Sequence, residues 1–285
     1  MGLKFGAYQL TSSVGLFADV AESSVNLIAA LAAFWALTVA AQPPDRDHSF
    51  GHSKAEYFSS GLEGLLILVA AISISMTAIP RLLNPQPISK LELGLGLSVL
   101  ASVVNGGVAW VLLRAGRRLR SITLRADAQH LLTDVWTSVG VVLGLVIVKV
   151  TGWLILDPIM ALLVALHIAW VAIKLLQETT AGFMDSALPE TDQALIWATL
   201  TAYQTQGIHF HALRTRVAGA RNFVSFHVLV PGDWTVQQGH ALCEQLEQAI
   251  MRALPGTHVM THLEPVEDPI SWADIELDRS QDHQP

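Results

Sequence analysis

Five stretches of this chain are long and apolar enough to cross a bilayer, and this limits its fold more than any other feature. A hydrocarbon core takes about 20 mostly apolar residues per helix. Spans read at 13–41, 58–80, 91–113, 127–149 and 153–175. Five such segments cannot all form the centre of one small soluble domain. The segment 2–12, GLKFGAYQLTS, is apolar over half that length and reads as a truncated first span. No secretory signal peptide is expected, because a basic N-terminal region and a small-residue cleavage site are both missing. The mean hydropathy of +0.44 agrees with a membrane chain.

Charge divides the 285 residues into two parts. Residues 1–185 carry 12 acidic and 12 basic side chains, whereas 186–285 carry 12 acidic, 5 basic and seven of the eleven histidines. Nucleic acid requires clustered excess Lys and Arg, so it is excluded as a partner. An acidic, imidazole-rich domain suits cations. The one cysteine, Cys243, has no disulfide partner within the chain and reads as a small packed residue. Basic residues in short loops mark the cytoplasmic side. Loop 114–125 holds Arg114, Arg117, Arg118, Arg120 and Arg125, which places it, loop 42–57 and the C-terminal part in the cytoplasm.

Two spans carry ionisable residues in the same frame, an expensive arrangement within a membrane. One reads Asp19-Val-Ala-Glu22-Ser-Ser-Val-Asn26; the other reads Asp127-Ala-Gln-His130-Leu-Leu-Thr-Asp134. Corresponding positions lie 108 residues apart, which marks a weak internal repeat of the kind transporters use. Glu22 and Asn26 share a helix face at i, i+4, as do His130 and Asp134. If the two helices face each other, two carboxylates, an imidazole and an amide converge, the ligand count of a tetrahedral divalent ion. Asp19 and Asp127, nearer the span ends, read as supporting groups beside those ligands. The bland alternative is hydrogen bonding that glues two helices together.

These paired motifs, together with Asp45-Arg-Asp-His48-Ser-Phe-Gly-His52-Ser-Lys54-Ala-Glu56, resemble the cation diffusion facilitator family, and within it the bacterial ferrous-iron and zinc efflux branch. The resemblance covers about residues 5–268. It implies a homodimer of six-span protomers in the inner membrane that exports divalent transition metals in exchange for protons. The transport site maps onto Glu22, Asn26, His130 and Asp134. Zinc-selective members usually carry His or Asp at the Glu22 position and Asp at the Asn26 position, so this chain departs from that pattern at both. Zinc is the first choice of cargo and of structural ion, with Fe2+, Co2+, Cd2+ and Mn2+ open.

The resemblance also assigns Asp45, His48 and His52 to a second, cytoplasm-facing site. Their i, i+3, i+7 spacing can present a carboxylate and two imidazoles to one ion. It further implies a salt bridge between Lys54 and Asp185. In the C-terminal part, apolar periodicity gives a helix at 190–205, strands at 208–217 and 222–230, a helix at 235–253 and a strand at 258–264. This α-β-β-α-β order matches the ferredoxin-like domain of the family, in which His211, His227, His240, His262 and Glu264 map onto a two-ion cluster. His209, His258 and His283 read as solvated. The expected organisation is a helical membrane bundle over 1–180, an α+β ferredoxin-like cytoplasmic domain over 190–268, and a polar disordered tail over 269–285.

Other functions fit less well. A metal-dependent hydrolase needs a motif such as HExxH, which is absent. A channel would arrange its donors as a permeant row rather than an enclosing set. A membrane-bound sensor or scaffold that binds metal without moving it is the main alternative.

Overall fold

The structure, a computed structural model, describes residues 1–88, 90–118, 122–204 and 207–273; the side chains of 116–130 and 133 lie outside the description. By contact density it divides into two units. One comprises Met1–Trp35 and Ser59–Gln177; the other joins Ala36–Phe58 to the chain from Glu178 onward.

Helices α1 (Gly2–Thr11), α2 (Val14–Ala40), α3 (Ala55–Leu83), α4 (Leu91–Arg118), α5 (Ile122–Thr151) and α6 (Leu156–Phe183) come first. Among the described residues, five of them, α2 to α6, are long and apolar enough to cross a membrane. The ten-residue α1 packs against α4 and ends at Ser12, whose left-handed backbone turns the chain into α2.

The membrane unit is packed inside out relative to a soluble protein. Its buried positions are largely alanine: Ala18, Ala70, Ala71, Ala78, Ala161 and Ala165 are each 7% exposed or less. Its large apolar side chains, among them Phe34, Met76 and Leu166, point outward at over 70% exposure. In lipid, outward apolar groups cost nothing, and small residues let helix backbones approach closely.

Two polar links cross this small-residue interior. Asp157, in the first turn of α6, caps the start of α2. Its carboxylate accepts from the Ser13 hydroxyl at 2.6 Å, the Val14 N–H at 2.9 Å and the Gly15 N–H at 3.1 Å. These are the orphan donors every helix start exposes. Lys4 of α1 pairs with Asp19 of α2 at 2.7 Å, and the Ser138 hydroxyl of α5 donates to the same Asp19 oxygen at 2.8 Å. Lys4, Ser13, Ser138 and Asp157 belong to none of the sequence motifs.

In the second unit, α7 (Glu190–Thr201), β1 (His209–Ala218), β2 (Arg221–Val230), α8 (Val236–Ala253) and β3 (Thr257–Pro265) follow in the expected order. The sheet runs β1-β2-β3, with β1 antiparallel and β3 parallel to β2. The parallel pair requires a crossover, which α8 supplies. α8 starts at a capping box, in which the Thr235 side chain takes the Gln238 N–H and the Gln238 side chain takes that of Thr235. Alternate residues of β2, Val224, Phe226 and Val228, form the core with Ile196 and Leu200 of α7 and Cys243, Leu246 and Ile250 of α8. Burial pushes the Cys243 thiol above its usual range, as suits a packed residue rather than a ligand. The polar tail, expected from the sequence to be disordered, begins with a short helix, α9 (Pro269–Ala273); residues 274–285 lie outside the described residues.

Replacing Asp157 with Ala leaves three buried donors at the start of α2 without an acceptor, each worth about 1–3 kcal/mol. The full-length protein in detergent is therefore expected to unfold at a clearly lower temperature. Ser13→Ala, which removes one donor and leaves two backbone bonds to the carboxylate, is expected to cost less.

Candidate metal sites

In the membrane unit, the 108-residue repeat becomes a helix–helix contact. The Asn26 side-chain amide of α2 donates to Asp134 of α5, at 3.1 Å from one carboxylate oxygen and 3.4 Å from the other. Glu22, half-buried one turn nearer the start of α2, feels the charges of Asp134, Asp19 and Lys4. His130 lies one turn before Asp134 on α5, but its side chain, like that of Asp127, is outside the described residues. Asp19 is occupied differently: Lys4 and Ser138 share one of its oxygens, and the other has no hydrogen-bond partner. An ammonium already neutralises Asp19, so it acts as a structural ion pair beside Glu22.

The loop between α2 and α3 folds around Asp45. One oxygen of this carboxylate accepts the backbone N–H groups of His48 at 2.7 Å and Asp47 at 3.0 Å. Those donors, the His48 N–H first, hold the Asp45 carboxyl below its usual range and keep it ionised. His48 Nδ1 lies 3.2 Å from that oxygen, and His52 Nε2 lies 3.3 Å from the other. The two rings sit 4.4 Å apart, and all three ligand atoms fall within 4.8 Å of one another. One carboxylate and two imidazoles fit a divalent ion completed by water.

Two residues past His52, the same loop meets the β1–β2 hairpin. Lys54 pairs with Asp185 at 2.8 Å, and Arg216 of β1 joins the same oxygen at 3.1 Å. Lys54, ahead of Arg216, holds the Asp185 carboxyl below the usual aspartate range. Arg216 also lies over the rings of Phe50, at 5.0 Å, and Phe223, at 4.4 Å. The Gly219 N–H donates to the Tyr57 hydroxyl at 2.9 Å. Gly219 has a positive φ of 57°, and a side chain there would collide with the Ser53 carbonyl, so only glycine fits this turn. Arg216 and Tyr57 carried no sequence signal, because neither belongs to a local pattern.

The third site follows from strand register. His211 of β1 pairs with His227 of β2, which pairs with His262 of β3, so three imidazoles form one row across the sheet. Because Val224, Phe226 and Val228 face the helices, His227 between them faces the other way. Glu264, two residues beyond His262 on the same face, is 7% exposed and serves all three rings. One of its oxygens lies 3.3 Å from His211 Nε2 and 3.2 Å from His227 Nδ1; the other lies 3.3 Å from His262 Nε2. A bulge between His211 and Arg214, with Ala212 at φ 50°, turns His211 toward this carboxylate. Trp272 of α9 packs edge-on against His211 at 5.6 Å.

These donors fit a resident divalent ion. The ligand atoms of His211, His227 and Glu264 fall within 4.8 Å of one another, and a buried carboxylate set among imidazole nitrogens is a donor set suited to a cation. His262, 63% exposed at its side chain, offers the second carboxylate oxygen a partner at the rim. The structure does not bring His240 to this group. It is exposed on α8, which packs on the opposite, helical side of the sheet. His209 and His258 are exposed, as expected; His283 lies outside the described residues.

Known protein families match most of the chain. The cation efflux transmembrane domain family matches residues 1–184, and the cytoplasmic domain family of cation efflux proteins matches 188–266. An uncharacterized transporter of Synechocystis sp. is 56% identical over 272 residues, covering 95% of this chain and 88% of its own. The cation-efflux pump FieF of Klebsiella pneumoniae is 30% identical over 268 residues, covering 92% and 87% respectively. Among solved structures, the zinc form of CzrB is 38% identical, with a TM-score of 0.28, covering 29% of this chain and 93% of its own. The metal-bound C-terminal domain of the CzcD transporter from Thermotoga maritima is 22% identical, with a TM-score of 0.26, covering 29% and 99%.

Added zinc is expected to raise the unfolding temperature of the full-length protein, and Glu264→Gln to remove most of that rise, since binding to the folded state alone stabilises it. A zinc-induced shift unchanged in Glu264→Gln would mean that the histidine row is not an ion site.

Proposed function

Because the chain belongs to the cation diffusion facilitator family, and is a multi-pass inner-membrane transporter rather than an enzyme, we propose that it exports zinc in exchange for protons. Efflux of divalent metal is common to the family; the choice of zinc and the coupling to protons are the proposal. The observation that carries it is the Asn26–Asp134 contact between two membrane-length helices, with Glu22 one turn away on the same face. Two bilayer-embedded acids facing an amide make poor helix glue but a good cation site. His130 supplies the nitrogen donor that favours zinc over an all-oxygen set.

Proton coupling follows from the ligands. Imidazole and carboxylate bind a cation only when deprotonated, so protons and cargo compete for the same atoms. Imidazole titrates nearest physiological pH, which makes His130 the group best suited to admit a proton on the acidic side as cargo leaves. Asp134 is oriented by the Asn26 amide and Glu22 supplies the second negative charge. Asp45, His48 and His52 gather cations at the cytoplasmic surface. The row of His211, His227 and His262 with Glu264 holds resident ions, and we read the cytoplasmic domain as the place where two copies of the chain associate.

Proteoliposomes containing the full chain test this directly. Zinc flux is expected to rise with an imposed proton gradient and to fall to background in His130→Ala. Flux indifferent to the gradient removes the antiport. Zinc binding without flux favours a sensor or scaffold.

A further inference from the structure

The membrane unit contains an open cavity of about 700 Å³ that reaches the Asn26–Asp134 pair. Three further polar side chains line it, Ser23 of α2, Glu63 of α3 and Asn105 of α4, among apolar residues such as Leu27 and Leu112. Neither Glu63 nor Asn105 belongs to the repeated motif of α2 and α5. Among the described residues Glu63 makes no ion pair or hydrogen bond, although it lies within a candidate membrane span. A carboxylate in that position is expensive unless it faces water or meets a cation.

Depth along each helix separates the roles. At 1.5 Å per residue from the cytoplasmic helix ends, Asn26, Asn105 and Asp134 lie about 18–21 Å in, and Glu63 about 12 Å in. Glu63 therefore stands between the cytoplasm and the pair, on the wall of the same cavity. Low-dielectric cavity walls strengthen the field of a single charge on them and concentrate counter-ions beside it. Oxygen donors also suit a cation that still carries part of its hydration shell.

We infer that Glu63 is the capture carboxylate of the cytoplasmic entry path: it draws the incoming hydrated divalent cation into the cavity and passes it to Asn26 and Asp134. This rests on the transport reading above. Glu63 sets how readily cargo enters, while the deeper residues set whether it is carried.

The test measures initial zinc flux against zinc concentration in proteoliposomes for wild type, Glu63→Gln, Glu63→Asp and Asp134→Asn. Glu63→Gln preserves shape and removes charge, so its KM should rise about tenfold, the lower end of electrostatic focusing, with Vmax kept. Glu63→Asp should recover most of that loss. The gap between wild type and Glu63→Gln should narrow in high salt, which screens the attraction. Asp134→Asn should abolish flux at any concentration. If Asp134→Asn is inactive while Glu63→Gln keeps the wild-type KM, or loses Vmax at unchanged KM, the capture role is wrong and the transport site stands. If Asp134→Asn still carries zinc, the transport site is wrong and the capture role falls with it.

Discussion

The membrane interior offers no water, so every polar atom placed there must find its partner in the protein. The transport half of this chain follows from that constraint. Its interior is lined by alanine, which brings helices close but offers no polar contacts. The few polar groups that remain therefore have few choices of partner. Asp19 meets Lys4 and Ser138, and Asp157 meets the bare start of α2. Asn26 meets Asp134. The first two contacts are closed by a full counter-charge or by three donors. Among the described residues, the third leaves a carboxylate held only by a neutral amide, with Glu22 nearby. Negative charge is thus left over around this pair, which suits a cation.

The cytoplasmic unit reaches the same result through strand register. Three histidines far apart in sequence fall into one row because β1 pairs antiparallel and β3 parallel to β2. A slip of one residue in either pairing would turn an imidazole to the helical face. Apolar burial of Val224, Phe226 and Val228 prevents that slip, so the core holds the site in register. Glu264 then bridges the row, with one oxygen to each side.

Much of this was legible in the sequence. Five spans, the 108-residue repeat, the histidine-bearing loop and the α-β-β-α-β order rest on periodicity and spacing, which are local and regular. What escaped was non-local. Lys4 and Asp157 are single charges near helix ends, where a charged residue ordinarily snorkels to the interface. Only packing makes them internal partners. Arg216 joins Asp185 through a hairpin no pattern foretells. His240 went the other way: it fitted the composition of a metal site, yet α8 carries it to the far face of the sheet. The role of Glu63 likewise depends on which wall of a cavity its helix presents.

On the proposed reading, α2 and α5 share one ion through Asn26 and Asp134. Exchanging the two side chains tests it most directly, by comparing zinc flux in Asp134→Asn with flux in the double variant Asn26→Asp, Asp134→Asn. If the residues face one ion, Asp134→Asn is inactive and moving the carboxylate across the pair restores transport. A double variant as inactive as the single one, in correctly folded protein, would contradict the account.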